Sequence, residues 1–521
     1  MGEHAGGLPW RQVEKQRPPH TDDRTRTHAN MVYEPLMARR HYRHGRLIRT
    51  LLKCVRATEP ARESGRVRAL INEIATVPEV ELYGRVQSVQ GLLVEIAGPV
   101  HAMSIGSRVT ISGRGGAPVD CEVVGFRNSL ALCMPFSTLD GVRMGCKAVV
   151  GPSEPAVRPL QSWLGRVINA AGEPIDGKGP LAPGPEHRRL RSSPPPAHMR
   201  ARVGEPIDLG VRALNSFATC CKGQRMGIFA GSGVGKSVLL SMLARNTACD
   251  VSVIGLIGER GREVQEFIED DLGPDGLKRS IVIVSTSDES ALMRRQAAYL
   301  TLTLAEYFRD LDRDVLCLID SVTRFAMAQR EIGLAAGEPP TTRGYPPSMF
   351  SLMPRLVERA GRSQRGSITA FYSVLVEGDD ENEPVADTVR GLLDGHVWLS
   401  RKLATRGHFP AVDVLSSISR VMNDITSEEH RSAAQVIRRV LAAYAEHEDL
   451  LSIGAYRRGS NRAVDVAVEM RETIEDLFRQ QLDQTLAADQ LMSQLLAIGN
   501  QCHAKLKTAP AATPQLASTA A

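Results

Sequence analysis

One short stretch of this chain carries the residue types that hold phosphate groups. Residues 227–240 combine an apolar strand, a glycine-rich turn and a Lys-Ser pair that opens a helix. Phosphate oxygens crowd against the main chain in such a turn, so side chains must be absent at Gly231, Gly233 and Gly235. The amide groups of the turn and the helix N-terminus supply positive potential. We therefore expect this stretch to bind the phosphates of a nucleotide.

The side chains of the turn have distinct predicted roles. Lys236 reaches the β- and γ-phosphates, and the Ser237 hydroxyl takes one position on Mg²⁺. Ala230 stands where the strict pattern has glycine, but it is small enough to permit the tight exit from the strand. An ordinary glycine-rich turn between a strand and a helix is the alternative interpretation. The predicted nucleotide-binding residues are Ala230, Gly231, Ser232, Gly233, Val234, Gly235, Lys236, Ser237 and Val238.

A second apolar strand ends in a carboxylate. Residues 315–320 read Val-Leu-Cys-Leu-Ile-Asp. In a parallel sheet the end of this strand lies beside the phosphate turn, where Asp320 can hold Mg²⁺ through a water molecule. The alternative is that Asp320 caps the turn that follows.

A third strand, 251–257, leads into a segment of alternating charge. The segment places Glu259 and Arg260 at the same edge of the sheet. A carboxylate there can polarise an attacking water as a general base, and Arg260 can stabilise the γ-phosphate. Glu and Arg are also good surface residues at a helix start, which is the alternative.

Composition limits the class of protein. The 521 residues suggest about three domains, and 42% hydrophobic with 24% charged residues is typical of a soluble globular protein. With 64 basic and 59 acidic residues, the net charge of +5 is too balanced to indicate a nucleic-acid or membrane partner for the whole molecule. Nine cysteines without a C-x-x-C pair favour free thiols in a reducing cytoplasm.

The pattern along the chain predicts an α/β protein with a small N-terminal β-barrel, a central P-loop parallel-sheet domain and a helical C-terminal domain. The segments are 1–45 as a disordered or mis-started extension, 46–81 as a basic amphipathic helical segment, 82–155 as the β-barrel, 156–425 as the P-loop domain, 426–505 as the helical domain and 506–521 as a disordered tail.

The element predictions are more detailed. Barrel strands are expected at 84–89, 92–96, 108–112, 121–126 and 131–136, parallel strands at 226–230, 251–257, 280–285, 315–320, 368–375 and 396–399, and C-terminal helices at 433–444 and 463–486. The barrel has few aromatic residues, which favours a structural or oligomer-capping role over binding of single-stranded nucleic acid. The basic helix at 46–56 either docks on an acidic partner or anionic lipid, or packs on its own protein.

Several motifs together resemble the ATPase of type III protein export, a relative of the catalytic β subunit of rotary ATP synthases. They are AGSGVGKS at 230–237, GERGREV at 258–264, DSVTRFAMAQREI at 320–332, RGYPPS at 343–348 and VEGDD at 376–380. The resemblance covers about residues 82 to 500. Two further segments, 388–396 and 407–412, look closer to the flagellum-specific ATPase than to the virulence-injectisome enzyme.

The resemblance assigns roles that spacing alone does not. It implies that the P-loop domain at 156–425 is a RecA-like ATPase domain, and that the chain forms a homohexameric ring in which each ATP lies between two subunits. Glu259 matches the family's catalytic base, and Arg420 matches the arginine that the neighbouring subunit supplies to the transferring phosphoryl group. Phe409 matches the aromatic position on which adenine stacks. Tyr456 is expected to border the adenine as well. The predicted catalytic set is Glu259, Lys236, Arg260 and Arg420, and the predicted Mg²⁺ set is Ser237 and Asp320.

The resemblance also implies a cellular role. It predicts hydrolysis of ATP that releases substrates from chaperones and drives flagellar subunits into a membrane export gate. Implied partners are a stator-like regulator, a central stalk protein, chaperone–substrate complexes, the gate and acidic lipid, with no nucleic acid. The expected location is the cytoplasm, peripherally associated with the inner membrane. The alternatives are an injectisome ATPase, a non-catalytic nucleotide-binding ring subunit and a hexameric RNA translocase. Glu259 argues against the second, and the near-neutral charge argues against the third.

Overall fold

The computed structural model describes residues 81–507, apart from 114–116, 152–154, 203, 377, 379 and 381–382. The predicted basic helix at 46–56, the segment 1–45 and the tail from residue 508 lie outside the described residues. Eight cysteines lie within the described part of the chain, and all of them are free thiols, as the sequence predicts. In this part of the chain no helix has the length and apolar composition needed to cross a bilayer.

The N-terminal part of the described chain is a closed β-barrel, which confirms the prediction. Its strands are β1 (Tyr83–Gln90), β2 (Leu93–Ala97), β3 (Arg108–Ser112), β4 (Val119–Arg127), β5 (Leu130–Pro135) and β6 (Lys147–Val150), in the order β1-β2-β5-β4-β3-β6. Alternate side chains face inward, so Val94, Ile96 and Val109 are fully buried. The sequence pattern does not predict β6, which pairs with both β1 and β3 and closes the barrel.

The central part is a nine-stranded, mainly parallel sheet. Its strands are β8 (Val167–Asn169), β10 (Arg225–Ala230), β11 (Val251–Glu259), β12 (Ser280–Thr286), β13 (Asp314–Asp320), β14 (Gly361–Arg362), β15 (Ser367–Leu375), β16 (Gly395–Leu399) and β17 (Val412–Ser419). The order is β17-β16-β10-β15-β13-β11-β12-β8, and β14 pairs with β15. All six predicted parallel strands are present. Two short strands, β7 (Ala156–Val157) and β9 (Arg188–Arg189), form a separate pair.

Helices cover both faces of the central sheet. They are α1 (Arg212–Phe217), α2 (Lys236–Asn246), α3 (Gly261–Glu266), α4 (Gly273–Lys278), α5 (Ala291–Asp310), α6 (Val322–Ala336), α7 (Pro347–Val357), α8 (Pro384–Leu392), α9 (Arg401–Thr405) and α10 (Met422–Ile425). Short 3₁₀ turns occur at Val100–Ala102, Gln161–Trp163, Ala197–Met199 and Thr342–Gly344, and a π-helical turn at Phe267–Leu272. Strands that are buried on both faces read as continuous apolar runs, which is why the sequence reveals them.

The edges of the sheet differ from the central strands. β8 has only three residues, and β17 runs antiparallel to β16 and alternates buried with exposed side chains. Neither strand forms the long apolar run that marks the centre of a parallel sheet, so the sequence pattern does not predict them. The order of the centre places the carboxyl ends of β10, β15, β13 and β11 side by side.

The C-terminal part is helical, as predicted. It consists of α11 (Glu428–Ser452), α12 (Arg462–Phe478) and α13 (Ala488–Lys507). The sequence predicts one helix over 463–486, but α12 ends at Phe478 because the chain then turns back to the central domain. There the Gln480 side chain accepts from the Arg212 amide at 2.9 Å and donates to the Gly210 carbonyl at 2.8 Å.

Candidate active site

The glycine-rich turn joins β10 to α2 at the carboxyl edge of the sheet. Gly233 and Gly235 have φ angles of 73° and 93°, a region that costs little only for glycine. Helix α2 begins at Lys236, and Gly235 before it has no side chain to cap the first amides. Those N–H groups are therefore available to an anion. The turn has the geometry that the sequence predicts for phosphate binding.

Lys236 lies between two carboxylates. Its Nζ is 2.5 Å from Asp320 Oδ1 and 3.3 Å from Glu259 Oε1, and its side chain is only 10% exposed. Burial lowers the pKa of Lys236, but the charges of Asp320 and Glu259 outweigh it, so the net pKa is raised. The lysine is thus held as a cation at the phosphate turn. The side chains of Lys236, Glu259 and Asp320, which follow or end three different strands, therefore come together at the phosphate turn.

Asp320 is the last residue of β13 and is buried. Its Oδ1 also accepts from the Ser373 hydroxyl, at 2.6 Å. The cap of the following helix, α6, is Ser321, whose hydroxyl accepts from the Arg324 amide. Asp320 is therefore not the helix cap that the alternative interpretation requires, and its carboxylate faces Lys236.

Glu259 reaches the cluster through an irregular strand end. The pairing of β11 with β12 shifts between Ile257 and Glu259, and Gly258 has a φ of 71°. Burial, followed by the charge of Asp320, raises the pKa of Glu259 to about 7, while Lys236 opposes the rise. A carboxyl group with a pKa near the working pH suits a general base.

Arg260 does not join this cluster. Its side chain is 82% exposed, and its guanidinium is 3.8 Å from Glu263 on the same helix start. The predicted contact with a γ-phosphate stays a prediction.

Phe409 lies against the phosphate turn. A Cβ placed on Gly235 would be 3.3 Å from the Phe409 ring, and 38% of Phe409 is exposed. An exposed flat ring beside the turn suits stacking against a base. Two contacts around this site are not predicted from the sequence. The backbone N–H of Gln480 donates to the Phe409 carbonyl at 2.9 Å. The Nη1 of Arg401 donates to the Ser232 carbonyl in the phosphate turn at 3.2 Å.

Tyr456 lies beside the start of α12. Its hydroxyl donates to Asp465 Oδ1 at 3.0 Å, in the first turn of α12. Its ring lies edge-on to His447, with 6.4 Å between the ring centroids. That Tyr456 borders the adenine stays a prediction.

Arg420 lies at the opposite edge of the sheet from the phosphate turn of its own chain. It directly follows β17, whose last residue, Ser419, pairs with Gly395 of β16. Gly395 is in turn level with Met226, near the start of β10. The turn begins four residues further along β10, about 13 Å away and two strands to the side. Arg420 is exposed and cannot reach its own phosphate turn.

The donor set at the turn fits a magnesium ion. Ser237 is exposed in the first turn of α2, and Asp320 offers a carboxylate that contacts the preceding residue, Lys236. Mg²⁺ prefers such hard oxygen ligands and is held by few protein groups plus phosphates. Among the residues that the structure describes, no group of three or more His, Cys, Asp or Glu could hold a metal ion.

Comparison with known protein families gives two matches. Residues 210–419 match the nucleotide-binding domain of the ATP synthase alpha/beta family, and residues 426–497 match the T3SS EscN ATPase C-terminal domain. These ranges cover the phosphate turn, both carboxylates and most of the C-terminal helices.

Individual relatives span most of the chain. The flagellum-specific ATP synthase of Caulobacter vibrioides is 52% identical over 82% of this chain and 98% of its own length. The type 3 secretion system ATPase of Xanthomonas euvesicatoria is 48% identical over 82% of this chain and 97% of its own. The structure of the assembled ATPase EscN from the enteropathogenic E. coli type III secretion system superposes with a TM-score of 0.76 at 39% identity, over 80% of this chain and all of EscN.

Proposed function

This chain belongs to the family of flagellum-specific ATP synthases and type III secretion ATPases, and we propose that it is the ATP-hydrolysing motor of a flagellar type III export apparatus. The chain is an ATPase, since both its nucleotide-binding domain and its relatives are of that class. Further flagellar relatives, from Bacillus subtilis and Salmonella typhimurium, are 48% and 44% identical.

The observation that carries the proposal is the contact of Lys236 with Glu259 and Asp320. Each of the three residues stands at the carboxyl end of a different central strand or just after it. A subunit that only holds its nucleotide needs the lysine and the metal-side carboxylate but does not need Glu259. The second carboxylate, Glu259, with its pKa near 7, favours hydrolysis over simple binding.

The cluster supports a simple division of work. The amides of the turn bind the phosphates, and Lys236 exchanges its carboxylate partners for the β- and γ-phosphates. Glu259 accepts a proton from the attacking water, which adds to the γ-phosphorus while the bond to ADP breaks. A magnesium ion held at Ser237 and Asp320 would supply Lewis-acid neutralisation of the phosphate charge. Phe409 positions the adenine.

We infer a homohexameric ring, because the site of one chain is incomplete. Arg420 cannot reach its own phosphate turn, so a neighbouring subunit is the source of that arginine in our proposal. The relative EscN has been solved in assembled form and also with its central stalk EscO, the latter with a TM-score of 0.73 at 38% identity. A central stalk is accordingly a proposed partner of this chain.

The remaining partners follow from the flagellar role. We propose a stator-like regulator, chaperone–substrate complexes and the export gate as partners, and peripheral contact with acidic lipid at the inner membrane. An enzyme that feeds subunits into a membrane gate must work on its cytoplasmic side. The relatives named above support the role and leave these partners as proposals.

The injectisome role is the second candidate, favoured by the 48% identity to the Xanthomonas enzyme. Catalysis does not separate the two roles, since both need the same cluster. The test is to purify the chain from its own cells and identify the proteins that accompany it. Flagellar stalk and chaperone proteins support the proposal, whereas virulence effectors and their chaperones contradict it. The same preparation must hydrolyse ATP with Mg²⁺ and lose that activity on Lys236→Ala.

A further inference from the structure

Asp320 is held by a serine on the neighbouring strand. β13 and β15 are parallel neighbours with Ile319 level with Tyr372, so Asp320 and Ser373 lie side by side. Ser373 is fully buried, and its hydroxyl donates to Asp320 Oδ1 at 2.6 Å. A buried hydroxyl without a partner is costly, so this bond is strongly favoured.

The same oxygen, Asp320 Oδ1, also accepts a hydrogen bond from the Lys236 ammonium. Two donors on Oδ1 fix the plane of the carboxylate and leave its second oxygen as the natural partner of a metal or a metal-bound water. Lys236 has a flexible four-carbon stem, and its ammonium is needed by the phosphates once a nucleotide binds. Ser373 has a short side chain on a central strand and stays in place. In the nucleotide-loaded site the bond from Ser373 then becomes the one that keeps Asp320 oriented.

We infer that Ser373 is a positioning residue that sets the Asp320 carboxylate for the magnesium ion that accompanies the nucleotide. The inference rests on the proposed function, because it assumes that Asp320 serves the metal. Polar groups that orient a metal ligand typically change metal affinity 10- to 100-fold when they are removed.

The chain offers a matched control on the same two strands. At their other end Asp314 pairs with Ser367, whose hydroxyl donates to Asp314 Oδ1 at 2.7 Å. Asp314 also has a lysine partner, Lys222, at 2.7 Å. The two clusters therefore share a serine, an aspartate and a lysine, but only one lies at the phosphate turn. A purely structural role for Ser373 predicts the same consequences for Ser367→Ala and Ser373→Ala.

The test measures binding of ADP by calorimetry on the full-length chain, with Mg²⁺ and again with a chelator. The dissociation constant in the chelator divided by the dissociation constant with Mg²⁺ gives the contribution of magnesium to ADP binding. We expect Ser373→Ala to reduce that ratio by about tenfold or more, while ADP affinity in the chelator stays at the wild-type value. Ser367→Ala should leave the ratio unchanged, and Ser373→Thr, which keeps the hydroxyl, should preserve most of it.

The outcomes distinguish a failure of the role proposed for Ser373 from a failure of the proposed metal site. An unchanged ratio in Ser373→Ala, or an equal loss in Ser367→Ala, overturns the role of Ser373 and leaves the ATPase standing. A wild-type chain that binds ADP without any magnesium effect overturns the proposed metal site and the inference with it. If Ser373→Ala does not fold, the isosteric Ser373→Cys, a weak donor, takes its place and must show the same loss.

Discussion

Replacing the Glu259 carboxylate with an amide tests the proposed base directly. Glu259→Gln keeps the size of the side chain and removes its ability to take a proton from water. Lys236 keeps its 2.5 Å contact with Asp320, so the phosphate turn retains its cation. We expect nucleotide binding within a few-fold of the wild type and a large loss of turnover.

The size of the loss follows from the role. Removing a general base costs about 10² to 10⁴ in rate, which is about 2.7 to 5.4 kcal/mol at 1.36 kcal/mol for each factor of ten. Stability should not fall in parallel. Burial raises the folded-state pKa of Glu259 to about 7, so its stabilising contribution is present at low pH and is lost as the pH rises through that value. At a pH of about 8 the neutral glutamine relieves a disfavoured charge, and the melting temperature should equal or exceed that of the wild type.

The assay is steady-state phosphate release at saturating ATP and Mg²⁺, with ADP binding and thermal unfolding measured on the same preparations. Glu266→Gln is the matched control, since Glu266 lies on the helix that follows Glu259, pairs with Arg262 and is 49% exposed. The control should keep wild-type turnover. A Glu259→Gln variant that retains more than about a tenth of wild-type turnover would refute the assignment of the base.

Three further predictions follow from the site. Since the pKa of Glu259 is raised to about 7, kcat/KM should fall about tenfold for each pH unit below that value and level off above it; a profile that is flat between about pH 5 and 8 contradicts the assignment. Phe409→Ala should weaken ADP binding by about 1 to 3 kcal/mol, whereas Phe409→Trp should preserve it, and equal affinities in calorimetry would remove Phe409 from the adenine site. Arg420→Ala should abolish the rise of specific activity with protein concentration, and a rise that persists excludes an arginine donated by a neighbour.

Much of the catalytic centre could be predicted because its residues sit at strand ends. The apolar runs before Lys236, Glu259 and Asp320 identify buried parallel strands, and the carboxyl ends of such strands meet at one edge. Local sequence therefore determined which side chains meet. The strand pattern does not indicate Ser373, because a single serine within an apolar strand has no distinctive spacing.

The residues that sequence reasoning missed depend on long-range packing. Arg401 donates to the Ser232 carbonyl in the phosphate turn, although the two residues lie far apart in the sequence. Gln480 reaches Phe409 because α12 ends early and the chain returns to the central domain. The helical and strand patterns predict neither contact, since both depend on how separate elements pack.

Mixing two inactive variants tests whether one site is built from two copies of this chain. In a ring assembled from equal amounts of Glu259→Gln and Arg420→Ala, about a quarter of the interfaces combine an intact Glu259 with an intact Arg420 from the neighbour. Turnover in the mixture should rise well above that of either variant alone, towards about a quarter of the wild-type value if interfaces act independently. A mixture that assembles yet stays at the level of the separate variants would show that the site does not combine residues of two subunits.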